Sequence, residues 1–171
     1  MRIVVGQFAG RDLTSPRDFR VRPTAERVRV AMLDKLGVDL SDARVLDLFA
    51  GSGALGLEAI SRGAKSCDFV EFRPSSLHAL KANIVSLRVK ERTRVFKRDA
   101  VRFADALGEA SYDVVFADPP YESRQLDRVI KSWLATRFSP VLAVEHAKAH
   151  ELPKGAVKFV IDDTAVTIYR A

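Results

Sequence analysis

The sequence predicts an α/β protein built on a mostly parallel sheet with an antiparallel hairpin at one edge. Three observations carry this expectation. Val45-Leu-Asp-Leu-Phe49 is a short apolar run of the kind buried on both faces of a parallel sheet, and Gly51-Ser-Gly53 breaks it before a helical pattern with Leu55, Ala59 and Ile60 on one side. Strand-like and helix-like segments then alternate along the chain. Near the end, Val157 to Ile161 and Val166 to Tyr169 flank Asp162-Asp163-Thr164, as in a closing hairpin.

Taken in order, residues 2–8 and 19–22 look like strands of a small hairpin or flap joined by Gly10 to Pro16. Arg22-Pro-Thr24 stops this arm and starts a helix, with Thr24 as N-cap and Glu26 in the first turn. Val28, Met32, Leu33 and Leu36 give that helix its apolar face, Gly37 ends it, and Arg22, Arg27 and Arg29 are left for solvent or a ligand. Gly63 reads as a C-cap, and Cys67 to Phe72 as the second strand of the main sheet. Pro74 opens the next helix, on which Leu77, Leu80, Ile84 and Leu87 recur at helical spacing. A third strand runs from Arg94 to Asp99, a short helix from Val101 to Leu107, and a fourth strand from Tyr112 to Ala117. Leu126, Val129, Ile130, Trp133 and Leu134 mark an amphipathic helix, and Val141 to Val144 a fifth strand.

Composition narrows the function. With 171 residues and 47% apolar content, the chain can bury a sizeable core. One cysteine, Cys67, excludes an internal disulfide and a multi-cysteine zinc site, and its apolar context predicts a buried thiol. No apolar stretch approaches the ~20 residues that span a bilayer, and Arg2, Arg11 and Asp12 interrupt any signal-peptide core, so a cytoplasmic location is expected. Net charge is +6, and residues 1–30 hold seven arginines against three acids. Arginine without lysine in that segment favours planar contacts to phosphates and bases.

Acids mark the ends of four successive strands: Asp47, Glu71, Asp99 and Asp118. In a parallel sheet those ends share one rim, where ligands bind. Gly51-x-Gly53-x-x-Gly56, with Glu71 twenty residues past Gly51, also satisfies a dinucleotide pattern. Asp47 works against a pyrophosphate and suits a cationic ligand such as S-adenosylmethionine; taken alone, the glycine pattern leaves both open. No histidine or cysteine accompanies the acids, so no transition metal is expected, and His78, His146 and His150 read as surface or structural. In the adenosyl reading Glu71 takes ribose hydroxyls, Asp99 an exocyclic amine of adenine and Asp47 the amino-acid end, with Phe49, Phe72 and Val101 as apolar contacts.

Asp118-Pro119-Pro120-Tyr121 separates the readings. The prolines hold a rigid extended loop. The Asp118 side chain and the Pro119 carbonyl are two acceptors suited to an exocyclic amine, and Tyr121 offers a ring for a base to stack on.

Together, Asp47-Leu-Phe-Ala-Gly-Ser-Gly53 and Asp118-Pro-Pro-Tyr121 resemble the class I S-adenosylmethionine-dependent amino-methyltransferases. Arg22-Pro-Thr-Ala-Glu-Arg-Val-Arg29, Gly53-Ala-Leu-Gly-Leu-Glu-Ala59 and Ser61-Arg-Gly-Ala64 extend the resemblance to bacterial 16S ribosomal RNA guanine-N2 methyltransferases of the small-subunit methyltransferase D type, from Arg2 to Tyr169. That resemblance implies a Rossmann-like seven-stranded fold, with residues 1–23 a basic β extension that helps hold RNA and residues 24–171 the methyltransferase domain. It implies S-adenosylmethionine as cofactor, bound by Asp47, Phe49, Ala50, Gly51, Gly53, Glu71, Phe72, Asp99 and Ala100. Asp118 to Tyr121 would carry catalysis, and Arg2, Arg11, Arg20, Arg22, Thr24 and Arg27 would meet the RNA. The implied partner is 16S rRNA or a partly assembled small subunit, with no membrane or metal involved and the protein a monomer. An amino-methyltransferase of another RNA or of DNA, a non-catalytic ribosome-assembly protein of the same fold, and a dehydrogenase resting on the glycine spacing alone remain as alternatives.

Overall fold

A computed structural model describes residues 1–17, 25–121 and 123–171. Seven strands form one sheet in the order β3-β2-β1-β4-β5-β7-β6. They are β1 Arg44–Leu48, β2 Ser66–Val70, β3 Thr93–Phe96, β4 Val114–Ala117, β5 Val141–Ala147, β6 Val157–Ile161 and β7 Thr164–Arg170. The pairings β3-β2, β2-β1, β1-β4 and β4-β5 are parallel, and β5-β7 and β7-β6 are antiparallel. The chain starts in mid-sheet, adds β2 and β3 on one side, then returns to add β4 and β5 on the other. The carboxyl ends of β1 and β4 therefore flank a topological switch point, where ligands of such sheets bind.

Among the described residues five α-helices cover the sheet: α1 Glu26–Asp34, α2 Ala54–Ser61, α3 Pro74–Leu87, α4 Ala100–Asp105 and α5 Gln125–Thr136. Alternate strand residues feed two cores. Val45, Cys67, Phe69, Phe116 and Ala143 pack under α1, α2 and α3, while Leu46, Leu48, Val70, Val115 and Val144 pack under α4 and α5. Asp47 has the parity of the first set and so faces α2, whose Gly56 N–H it accepts at 3.0 Å. Cys67 is buried, as its context predicts, and burial pushes its thiol pKa up.

The first residues differ from the sequence expectation. Residues 2–8 do not form a strand. A single antiparallel bridge joins Arg2 to Asp12, and turns occupy the chain between them. The physical reason is that side chains of α2 take the backbone groups a neighbouring strand would have taken. Glu58 accepts Val4 N–H at 3.0 Å and Val5 N–H at 2.7 Å, and Ser61 bonds the Val5 carbonyl and the Phe8 N–H. The expected strand 19–22 and the Thr24 N-cap lie outside the described residues; α1 begins at Glu26 behind Ala25.

Arg29 also departs from expectation, because it is wholly buried rather than available to solvent or ligand. Its Nε lies 3.3 Å from Glu58 Oε2, and its guanidinium donates to the Arg2 carbonyl. A charge at that depth is tolerated only when paired and hydrogen-bonded. This pair fixes α1, α2 and the N-terminal arm against one another.

Candidate functional site

The strand ends open into a cavity of about 370 Å³, within the ~300–1,000 Å³ range of small-molecule sites. Its wall includes Asp47 near the end of β1 and Phe49 just after it, Gly51 and Ser52 of the glycine turn, Glu71 and Phe72 after β2, Ala100 at the start of α4, and Asp118 to Tyr121 after β4.

The glycine turn is shaped by backbone geometry. Gly51 and Gly53 have φ of 56° and 80°, a region that suits glycine, and Phe49 also takes a positive φ of 61°. For a phenylalanine that conformation costs roughly 1–3 kcal/mol, here on the cavity wall. A Cβ built on Gly51 would meet nothing within 4 Å, whereas one on Gly53 would lie 2.4 Å from Leu80 Cδ1. The first glycine thus leaves room for a ligand, and the second lets α2 and α3 close. Ala50 is buried beside them, with its N–H on the Val70 carbonyl at 3.0 Å.

Two acids line the β1–β2 side of the cavity. Glu71 accepts Gly51 N–H at 2.9 Å through Oε2, and the N–H groups of Phe72 and Arg73 at 2.8 Å each through Oε1. These bonds aim its carboxylate, and Phe72 stands half-exposed next to it. Asp47 is buried, and burial pushes its pKa up to about 8; the Gly56 N–H pulls it down, and the charge of Glu71 raises it further. A nearly buried carboxyl of this kind is a receptor for positive charge. Open space over Gly51, an aimed carboxylate for hydroxyls and a buried acid for an ammonium group together fit an adenosyl amino-acid cofactor.

On the β4 side, Pro119 is buried and Pro120 exposed, and a turn from Pro120 to Ser123 holds the loop. Tyr121 is anchored through its hydroxyl, 2.7 Å from Glu145 Oε1 and 2.8 Å from Thr164 Oγ1. Burial, with the Glu145 carboxylate beside it, holds the phenol above its ordinary pKa.

Asp99 caps α4. Its Oδ1 accepts Arg102 N–H at 2.8 Å as the N-cap of α4, and its side chain is not on the cavity wall, although its neighbours Arg98 and Ala100 are. One carboxylate oxygen thus satisfies a helix terminus. Val101 and Gly53 likewise stand behind the wall. Of the arginines assigned to RNA, Arg2 pairs with Glu26, Arg11 donates to the Ser86 carbonyl at 2.9 Å and Arg27 pairs with Asp162, all with exposed side chains. Arg20, Arg22 and Thr24 fall outside the described residues.

Sequence reasoning missed Pro16, Arg73, Arg98, Gln125 and Glu145, all of which line the cavity. Glu145 had a readable signal, since it follows the apolar run Val141 to Val144 just as Asp118 follows β4. Among the described residues no group of acids, histidines or cysteines is arranged to hold a metal, and no helix is long and apolar enough to cross a membrane.

The family model described as Conserved hypothetical protein 95 matches residues 1–165. The chain belongs to that family. Ribosomal RNA small subunit methyltransferase D of Escherichia coli (strain K12) is 37% identical over 140 residues, which cover 79% of this chain and 70% of that protein. A solved hypothetical protein of Thermus thermophilus matches 100% of this chain and 99% of its own, with a TM-score of 0.84 and 31% identity. A Thermus thermophilus 16S rRNA N2 methyltransferase, solved with AdoMet and guanosine, shares the fold at a TM-score of 0.71 and 17% identity, over 91% of this chain and 45% of that one. The fold is that of the class I methyltransferases.

Proposed function

We propose that this chain is an S-adenosylmethionine-dependent methyltransferase of ribosomal RNA, and that its target is the exocyclic N2 amine of a guanine in 16S rRNA. The observation that carries the reading is the meeting of Asp47, Glu71 and Asp118-Pro-Pro-Tyr121 on one cavity at the β1–β4 switch point. The full-family match and the E. coli relative named for small-subunit rRNA support the RNA class.

When bound, the cofactor supplies a methyl group activated by its sulfonium. Glu71 would orient the ribose, Phe72 would pack on the adenine, and Asp47 would face the ammonium group. Asp118 and the Pro119 carbonyl would accept the two N–H groups of the target amine. That grip favours a pyramidal nitrogen whose lone pair points into the cavity, and positioning of this kind supplies several kcal/mol. As the N–C bond formed and the sulfonium S–C bond broke, S-adenosylhomocysteine would leave, and the Asp118 carboxylate would stabilise the positive charge on nitrogen and take one proton on its way to solvent. The Tyr121 ring would stack on the base, its tilt set by Glu145 and Thr164. A base inside a helix cannot enter such a pocket, so the target is unpaired or flipped out. Residues 1–23 would be the basic arm that holds the surrounding RNA, through Arg2, Arg11, Arg20 and Arg22, with Thr24 and Arg27 just beyond it.

The test is methyl transfer to small ribosomal subunits from cells lacking this enzyme, followed by nucleoside chromatography and mass-spectrometric mapping. The expected product is N2-methylguanosine at a single 16S position. Methylation of adenine, or of guanine at a ring nitrogen, would overturn the assignment.

A further inference from the structure

One side chain joins the N-terminal arm to the glycine turn. Asn83 of α3 is 1% exposed. Its carboxamide oxygen accepts Thr14 N–H at 2.7 Å, and its nitrogen donates to the Thr14 carbonyl at 3.0 Å. The same nitrogen donates to the Ser52 carbonyl at 2.9 Å. The amide thus gives Thr14 the pair of bonds that an adjacent antiparallel strand residue would give it, and spends its other N–H on the middle residue of the turn. A flipped amide would set a donor against Thr14 N–H, so the network fixes the orientation.

Both ends of this clamp reach the cavity. Ser52 lines it, and so does Pro16, two residues beyond Thr14. Met1 lies over the same serine, its sulfur 4.0 Å from Ser52 Oγ. On its other flank the turn is held by Glu71, through Gly51 N–H. The turn is therefore gripped from two sides: by the acid assigned to the cofactor ribose, and by an amide whose remaining bonds hold the arm.

We propose that Asn83 is a positioning residue that couples the two ligands, so that RNA on the arm and cofactor on the glycine turn bias the same three-bond clamp. The proposal rests on the reading of the arm as the RNA-holding segment. Coupling of this kind is reciprocal: whatever factor the RNA adds to cofactor affinity, the cofactor adds to RNA affinity. An asparagine with a purely structural role would stabilise the fold without linking the two affinities.

The experiment measures binding of S-adenosylhomocysteine, which cannot turn over, by equilibrium dialysis with and without unmodified small ribosomal subunits. The full-length wild type is compared with Asn83→Ala and Thr14→Pro. In the wild type, subunits are expected to tighten S-adenosylhomocysteine at least about fivefold, the lower end of typical coupling. Both variants should still bind each ligand while that factor falls below about twofold. A coupling factor in the variants equal to that of the wild type, or a wild-type factor of one, overturns the proposal. Failure of the wild type to bind S-adenosylhomocysteine or subunits at all strikes the underlying functional reading instead. If Asn83→Ala does not fold, Thr14→Pro decides alone, because Thr14 is exposed and the change breaks the clamp at its N–H, placing the proline ring against the Asn83 oxygen, while leaving Asn83 itself in place.

Discussion

Asp47 should make cofactor binding depend on pH with a magnitude that follows from its burial. The carboxyl is 2% exposed, and its pKa stands at about 8. Near neutrality the unliganded site therefore holds it protonated. If the ionised form faces the cofactor ammonium group, binding must expel that proton, and the apparent dissociation constant scales as 1 + 10^(pKa − pH). That factor is about 100 at pH 6.0 and about 4 at pH 7.5, so affinity rises roughly 25-fold across the window, or about 1.9 kcal/mol. Calorimetry with S-adenosylhomocysteine in buffers of different ionisation heat would report both the affinity and the release of close to one proton at pH 6.5. Asp47→Asn keeps an acceptor for Gly56 and should flatten the profile. Wild-type affinity constant within twofold from pH 6.0 to 7.5, or an equal slope in the asparagine variant, would refute the reasoning. Stability of the unliganded fold runs the other way. The folded pKa lies above the ordinary 3.8, so the folded chain keeps a proton that the unfolded chain has released, and stability falls as pH rises from about 4 towards 8.

Five further outcomes are expected. Asp118→Ala should lower methyl transfer by at least about 10³-fold, with S-adenosylhomocysteine affinity by calorimetry nearly unchanged; retained turnover would remove Asp118 from the chemistry. Tyr121→Phe keeps the ring and loses the bonds to Glu145 and Thr164, which should cost about 1–3 kcal/mol in urea unfolding. Tyr121→Ala should in addition raise the KM for RNA through lost stacking, worth ~1–3 kcal/mol. Glu58→Ala strands the buried Arg29 and frees the Val4 and Val5 N–H groups, so guanidinium unfolding should show a loss of about 3–5 kcal/mol. Gly56→Ala would put a Cβ 2.5 Å from both Cys67 Sγ and Phe69 Cε1, and thermal unfolding should report about 1–3 kcal/mol of overpacking.

The strands were legible because β1, β2, β4 and β5 are short apolar runs buried on both faces, and their parallel pairing followed from the alternation with helices. Asp47, Glu71 and Asp118 were legible because each lies at or just past the carboxyl end of an apolar strand, the rim on which ligands of parallel sheets bind. At Asp99 the same pattern carries a second role, the N-cap of α4. An acid between a strand and a helix serves equally as an N-cap, and the helical run directly after it was the signal that favoured capping. Arg29 was misplaced although it shares the helical face of Val28, Met32 and Leu33. Its partner Glu58 lies 29 residues away on another helix, and no local pattern announces such a pair. Ile3-Val4-Val5 has strand propensity, but propensity does not reveal that a carboxylate and a hydroxyl of α2 will take the backbone groups a strand needs.

These contacts change what the N-terminal arm is. Ile3 and Leu13 belong to the same buried cluster as Leu57, Ile60, Leu80 and Ile84, so the base of the arm is part of the core that supports α2 and α3. Glu58 holds that base one turn from the C-terminal end of α2, and the N-terminal end of the same helix emerges from Gly53 of the glycine turn. A helix of eight residues is about 12 Å of stiff rod. Under the proposed coupling, movement of the arm against Glu58 would reach the glycine turn either through that rod or through Asn83. A basic segment fastened this way differs from a flexible tail, which would gather RNA by charge alone and leave the cavity unaltered. The physical consequence is that neutralising arm arginines should weaken RNA binding, whereas cutting the arm's anchors should also disturb the adenosyl site.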